Sequence, residues 1–270
     1  MDLMAAFPRE HRFKGLLFDY PSLVFTTVVV YIAIVLKFGP DYMRDRRPYN
    51  VRGLTRVYNI LQVTCNLWFC CQALELLWRY RGTGRFNMFC SLPTTDQPNL
   101  EGPGDTEHLI FFSTVYLYVR AADMFDTLLF ILAKKLSHVT FLHVYHHAMV
   151  VTSVYVYLRS GWAISVYHIG ILNAMIHVVM YSYYFLSTFS TMKPYLWWKR
   201  YLTVLQLIQF AIAGIYMVLF AIWNCGFPPI VVQYNVSQAV ILFALFSQFY
   251  VQRYTKAIDL VAGNRPGASG

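Results

Sequence analysis

Seven apolar runs dominate this chain, near residues 22–38, 57–78, 108–133, 139–158, 162–187, 201–223 and 229–251. Crossing about 30 Å of hydrocarbon takes roughly 20 helical residues, and each run approaches or passes that length. Inside a bilayer every backbone N–H and C=O must find a partner within the chain, which helices provide. Charged residues make up 13% of the 270 positions and hydrophobic ones 57%, whereas an ordinary soluble domain carries about 25% charged residues. That composition excludes a soluble globular protein and a disordered one. The expected fold class is all-α: a polytopic membrane protein of one domain, 1–270, with seven transmembrane helices.

The runs are separated by Gly, Pro and charge, and only one break is long, the loop 79–107. Seven spans place the two termini on opposite sides of the membrane. Arg9, Arg12, Lys14, Arg79, Arg81, Arg85 and Arg159 fall on one side. Fourteen basic residues fall on the other, among them Arg44, Arg46, Arg47, Lys134, Lys135, Lys199, Arg200, Arg253 and Lys256. Basic loops stay cytosolic, so the N-terminus is expected in the lumen and the tail 252–270 in the cytosol. The net charge of +9 is thereby a topology signal, and nucleic acid is not an expected partner. Arg9, Arg12 and Lys14 precede any apolar run, so the first span is expected to act as its own insertion signal. Cys90 and Cys225 both fall on the lumenal, oxidising side and are expected to form a disulfide.

Ionisable or strongly hydrogen-bonding groups at membrane depth are costly unless they face the bundle interior, which makes them functional candidates. Four runs carry such groups. The third holds Arg120, Asp123, Asp126 and Thr127 within about one third of a helix circumference. The fourth holds His143, His146 and His147, paired by i,i+3 and i,i+4 spacing. The fifth carries Asn173, His177, Met180, Tyr181 and Tyr184 in one stripe, and the sixth Thr203, Gln206 and Gln209 at i,i+3 intervals. At about 1.5 Å rise per residue all four stripes reach one layer, some 7 to 15 Å below the cytosolic face. A working site is the expectation there.

Neutral imidazole serves as nucleophile, general base or metal ligand near neutral pH. Three function classes follow. A di-iron desaturase or hydroxylase would use an HxxHH cluster, but needs about eight ligating histidines in several clusters, and this chain has eight in all with one cluster. A single metal on His143, His146 and His147, with Asp126 added, stays open on the residues alone. A seven-helix receptor fits the span count, yet gives no reason for clustered histidines.

These stripes resemble the four signature motifs of the very-long-chain fatty acid elongases, the membrane 3-oxoacyl-CoA synthases: K-x-x-E-x-x-D-T, H-x-x-H-H, N-x-x-x-H-x-x-M-Y-x-Y-Y and T-x-x-Q-x-x-Q. They occur in family order, and the last three match fully. The first departs, with Arg120 for Lys and Asp123 for Glu, while Asp126 and Thr127 match.

The resemblance implies a decarboxylative condensation of acyl-CoA with malonyl-CoA, no metal, and no cofactor beyond those two substrates. It implies seven helices around an acyl-chain tunnel, residence in the endoplasmic reticulum, and room for a homo-oligomer or for contacts with other enzymes of the elongation cycle. By position His146 is the expected nucleophile, with His177 managing charge, and His143, His147 and Asp126 orienting the rings. Asn173, Gln206 and Gln209 are expected amide donors to the thioester or enolate oxygen. Arg120, Asp123, Thr127, Tyr181, Tyr184 and Thr203 are expected to contact substrate, and Arg253 and Lys256 the CoA phosphates.

Overall fold

A computed structural model of the chain describes residues 11–81, 104–162, 166–223, 225 and 228–255. Among them every regular element is helical. After a single turn at Leu16–Asp19 come α1 (Pro21–Met43), α2 (Arg52–Arg79), α3 (Asp105–Ala122), α4 (Phe125–Leu132), α5 (Phe141–Arg159), α6 (Tyr167–Ser187), α7 (Lys199–Ile222) and α8 (Pro229–Tyr250). Pro21 and Pro229 each occupy a first turn, where the missing N–H costs nothing. Within α1 the turn Ile34–Phe38 widens just before Pro40, a residue that cannot donate to the helical ladder. Gly39 follows directly. A Cβ there would stand 3.1 Å from the side chain of Ile131, so its absence lets α1 lie against α4.

Five helices are long and apolar enough to cross a membrane: α1, α2, α6, α7, and α8 with its continuation to Tyr254. The runs expected as the third and fourth spans fold as helices but fall outside this group. Asp105, Glu107 and Arg120 charge α3, and three histidines in two turns lower the hydropathy of α5. In α5 the histidines that mark the run as a candidate site are also what lowers its hydropathy.

Neighbouring helices close a ring. α2 lies against α3 and α6, α6 against α7, α7 against α8, and α8 and α3 both against α5. α1 stays outside this ring, along α5, with its last turn on α4. Gly214 of α7 faces Ala239 of α8, small residues that allow close approach of backbones. One core joins Val35, Leu117, Ile131, Val151 and Tyr155 from α1, α3, α4 and α5. A second joins Phe69, Leu76, Phe112, Tyr116 and Ile171 from α2, α3 and α6.

The run 108–133, expected as one helix, is broken between Ala122 and Phe125. There the backbone tightens to i→i−3 bonds: Met124 N–H donates to Ala121 O at 3.2 Å, and Asp126 N–H to Asp123 O at 3.2 Å. Asp126 N–H would pair with Ala122 O in a regular helix. That carbonyl accepts instead from the Tyr58 hydroxyl of α2 at 3.1 Å. An irregular turn survives at such a place when a buried side chain takes over the missing bond.

Candidate active site

Thr140 sets the start of α5 by accepting from the backbone N–H of His143 at 3.2 Å, a side-chain N-cap three residues ahead of the cluster. From that start His143, His146 and His147 project to one side, their rings touching: His143 to His147 with centroids 4.4 Å apart, His146 to His147 at 5.6 Å. Their surroundings differ. His143 Nε2 meets the Thr127 hydroxyl at 3.0 Å, and that hydroxyl meets Tyr31 of α1 at 2.9 Å. His146 has neighbouring rings, Phe210 at 6.1 Å and Phe246 at 6.0 Å, and its Nδ1 is buried with no hydrogen-bond partner.

His146 lines a cavity of about 190 Å³ to which all six ring helices contribute. Asn173 of α6 and Gln209 of α7 line it too, while most of the wall is apolar, including Val150, Val154, Leu158, Ala213 and Met217. Across the α5–α8 side, Tyr145 donates to Gln238 at 2.5 Å, Ser153 meets Tyr234 at 2.8 Å, and Tyr157 donates to Asn235. Asn235 opens a glycosylation sequon, but its Nδ2 donates to Val231 O at 2.7 Å and its Oδ1 is taken by Tyr157. Both ends of that amide are used.

Behind Asn173 stands Arg120, fully enclosed by protein. Its Nη1 lies 3.0 Å from Asp123 Oδ2, 3.1 Å from Asn173 Oδ1 and 2.5 Å from His177 Nδ1, and its Nη2 donates to Asn66 of α2. Guanidinium donates only, so the Asn173 atom facing it is the oxygen, which also accepts from Tyr116 at 2.9 Å. The Nδ2 donor of Asn173 is left for the cavity. The Tyr181 hydroxyl, also fully enclosed, lies 2.9 Å from Asp123 Oδ1 and 2.8 Å from Asp126 Oδ2. A buried cation and two acids sit here because their partners are within reach; breaking such a pair costs several kcal/mol.

The expected residues therefore divide between two places. His146, Asn173 and Gln209 share the cavity wall. Arg120, Asp123, Asp126, Thr127, His177 and Tyr181 are buried in side-chain contacts and do not line the cavity. Gln206 donates to the Met180 sulfur at 3.6 Å, Thr203 is buried, and Tyr184 packs on Tyr181 with ring centroids 5.9 Å apart. Arg253 is exposed on the turn beyond α8. Lys256 and Cys90 lie outside the described residues, and Cys225 is buried. Among the described residues no group of three His, Cys, Asp or Glu is arranged to hold a metal ion.

Sequence reasoning missed the share of α2. Tyr58, Gln62 and Asn66, spaced four apart, form a buried polar row inside an apolar run, a signal visible in the sequence. It also missed Tyr31 and Tyr116.

The model of the GNS1/SUR4 (ELO) family matches residues 16–259, a stretch that holds the ring and every one of these motifs. The chain belongs to the ELO family. ELO relatives named very long chain fatty acid elongase 5 include the proteins of Macaca fascicularis and Homo sapiens, each 36% identical over 250 residues. That alignment covers 92% of this chain and 80% of each relative. The protein of the same name from Tachysurus fulvidraco is 35% identical over 252 residues, covering 92% of this chain and 81% of its own.

Proposed function

We propose that this ELO protein is a fatty acid elongase that condenses a long-chain acyl-CoA with malonyl-CoA through an acyl-imidazole on His146. One observation carries the choice of nucleophile: of the three clustered histidines, His146 alone lines the cavity, beside the amides of Asn173 and Gln209. With Nδ1 buried, Nε2 is the nitrogen left to attack. It bonds to the acyl carbon, the carbon–sulfur bond breaks, and CoA leaves as thiol with the proton lost by the imidazole. Malonyl-CoA then loses CO2, and the bonding pair becomes an enolate. Its carbon attacks the acyl carbon, the carbon–nitrogen bond breaks, and the imidazole takes up a proton. The amide donors of Asn173 and Gln209 stabilise the oxyanions of both halves.

The same reading extends to the frame around the site. α3 with α4 serves as the third membrane span and α5 as the fourth, giving seven, with the N-terminus in the lumen of the endoplasmic reticulum and the tail in the cytosol. The apolar wall of the cavity is part of the acyl tunnel. Arg253 and Lys256 contact the CoA phosphates, Cys90 pairs with Cys225, and no metal or further cofactor takes part. Contacts with other enzymes of the elongation cycle, or with a second copy of this chain, lie on surfaces away from the ring.

The test is intact-protein mass spectrometry after incubation with acyl-CoA alone. Wild type is expected to gain one acyl group, released on adding malonyl-CoA, and His146→Ala none. An adduct that survives His146→Ala removes the assigned nucleophile.

A further inference from the structure

Outside the four motif stretches, three side chains of α2 make a buried polar row that the proposed reaction does not use. Tyr58, Gln62 and Asn66 are each buried and each point a polar end at the next. Arg120 Nη2 donates to Asn66 Oδ1, and Asn66 Nδ2 donates to Gln62 O at 2.8 Å and Gln62 Oε1 at 3.3 Å. Gln62 Nε2 donates to the Tyr58 oxygen at 3.0 Å, which stands 3.3 Å from the Tyr181 hydroxyl. Tyr181 meets Asp123, and Asp123 returns to Arg120 at 3.0 Å. The contacts form a closed loop of six side chains, five from α2, α3 and α6 and Asp123 from the turn after α3. Along the α2 row the donors all run in one direction, so each bond polarises the next.

Through Asn173 the loop reaches the cavity wall. Arg120 spends Nη2 on Asn66 and turns Nη1 toward Asn173 Oδ1 at 3.1 Å. The Asn173 amide can rotate only if that contact breaks, and its orientation decides whether the cavity meets a donor or an acceptor.

We infer that Asn66 and Gln62 are positioning residues: they hold Arg120 in the rotamer that turns the Asn173 Nδ2 donor toward the reacting thioester. The inference rests on the condensing role proposed above for Asn173. Asn66→Leu frees Nη2 and removes one of two anchors, leaving the Asp123 contact to Nη1. With Arg120 less constrained, Asn173 keeps the Tyr116 hydroxyl as its one fixed partner, and a misplacement on the order of 1 Å in such a donor costs about 100-fold in rate. Affinity for either CoA substrate is untouched, because Asn66 and Gln62 do not line the cavity.

The experiment measures kcat and KM of purified full-length protein with an acyl-CoA and malonyl-CoA for wild type, Asn66→Leu, Gln62→Met, Asn173→Ala and the Asn66→Leu/Asn173→Ala pair. For Asn66→Leu the expected kcat falls about 10- to 100-fold with KM within about twofold of wild type. Gln62→Met keeps the volume, folds without touching Arg120, and is expected to lose kcat severalfold at unchanged KM. In the Asn173→Ala background the Asn66 substitution is expected to cost almost nothing further, since its effect runs through the missing amide. Wild-type kcat in Gln62→Met, or an Asn66 effect undiminished in the Asn173→Ala background, overturns the inference. Wild-type kcat in Asn173→Ala instead refutes the role of Asn173, a separate failure read from a separate variant.

Discussion

Arg120 and Asp123 differ from the family motif in opposite senses: the cation is the longer of its type and the acid the shorter. In the structure they meet at 3.0 Å with neither exposed beyond 2%. Arg120→Lys keeps the charge but replaces two terminal nitrogens by one on a shorter stem, which cannot reach both Asn66 and Asn173. Losing one charge-assisted bond costs about 1.5–3 kcal/mol. Asp123→Glu inserts a methylene beneath Tyr181, where overpacking costs about 1–3 kcal/mol. Together the two changes restore the summed reach, the longer acid meeting the shorter cation. The double variant is therefore expected to recover at least about 1 kcal/mol relative to the sum of the singles. At roughly 2–4 °C per kcal/mol for a chain of this size, Arg120→Lys lowers the melting temperature by roughly 3–12 °C. The double variant melts at least about 2 °C above the additive value. Thermal unfolding in detergent, with turnover measured alongside, checks both. Strict additivity would refute the idea that the two departures compensate one another across this contact.

Tyr31→Phe removes the hydroxyl that meets Thr127 at 2.9 Å, leaving Thr127 with His143 alone; a stability loss of about 1 kcal/mol is expected by thermal melting, with a larger proportional fall in turnover if the His143 ring loosens. His138, on the exposed turn Leu136–His138 between α4 and α5, has its pKa lowered by partial burial and by Lys199, Lys135 and Arg253 around it. Its folded pKa lies below the unfolded one, so the unfolded state binds the proton more readily, and stability falls as pH drops through about 6.5, the unfolded value. Melting temperatures measured from about pH 7.5 down to about pH 5.5 should fall less steeply in His138→Gln than in wild type; parallel slopes would show that His138 contributes nothing.

Much of the helical order was legible because apolar length and loop chemistry act locally. Pro21, Pro229 and Thr140 mark helix starts by the chemistry of their own backbone or side chain. The four polar stripes were legible for a similar reason, since helical spacing places side chains on faces. Which face meets which was not. Sequence spacing grouped His177 with His146, whereas the fold puts His177 against Arg120 and His146 on the cavity wall. The break after Ala122 was hidden as well, because the hydroxyl that stabilises it comes from Tyr58, 64 positions earlier. Gln62 and Asn66 were missed because the partner that ties their row to α3, Arg120, lies far along the chain.

Chemically identical rings acquire different uses here through what each one touches. His143 has an Nε2 engaged by the Thr127 hydroxyl, and His177 faces a guanidinium that can only donate, so the lone pair turned to it is occupied. An engaged lone pair must give up its bond before it can attack carbon, and in a dry interior that bond is not replaced by water. The Nδ1 of His146 has no such bond to give up, and the rings of Phe210 and Phe246 pack beside it. An orphan imidazole nitrogen of this kind costs a few kcal/mol, which the packing of the helix ring can carry. On the acyl-imidazole route proposed above, the nucleophilicity of His146 then depends on its neighbours on α7 and α8, and acyl transfer is expected to fail when a hydroxyl is placed beside the ring, as in Phe210→Tyr, before any histidine is changed.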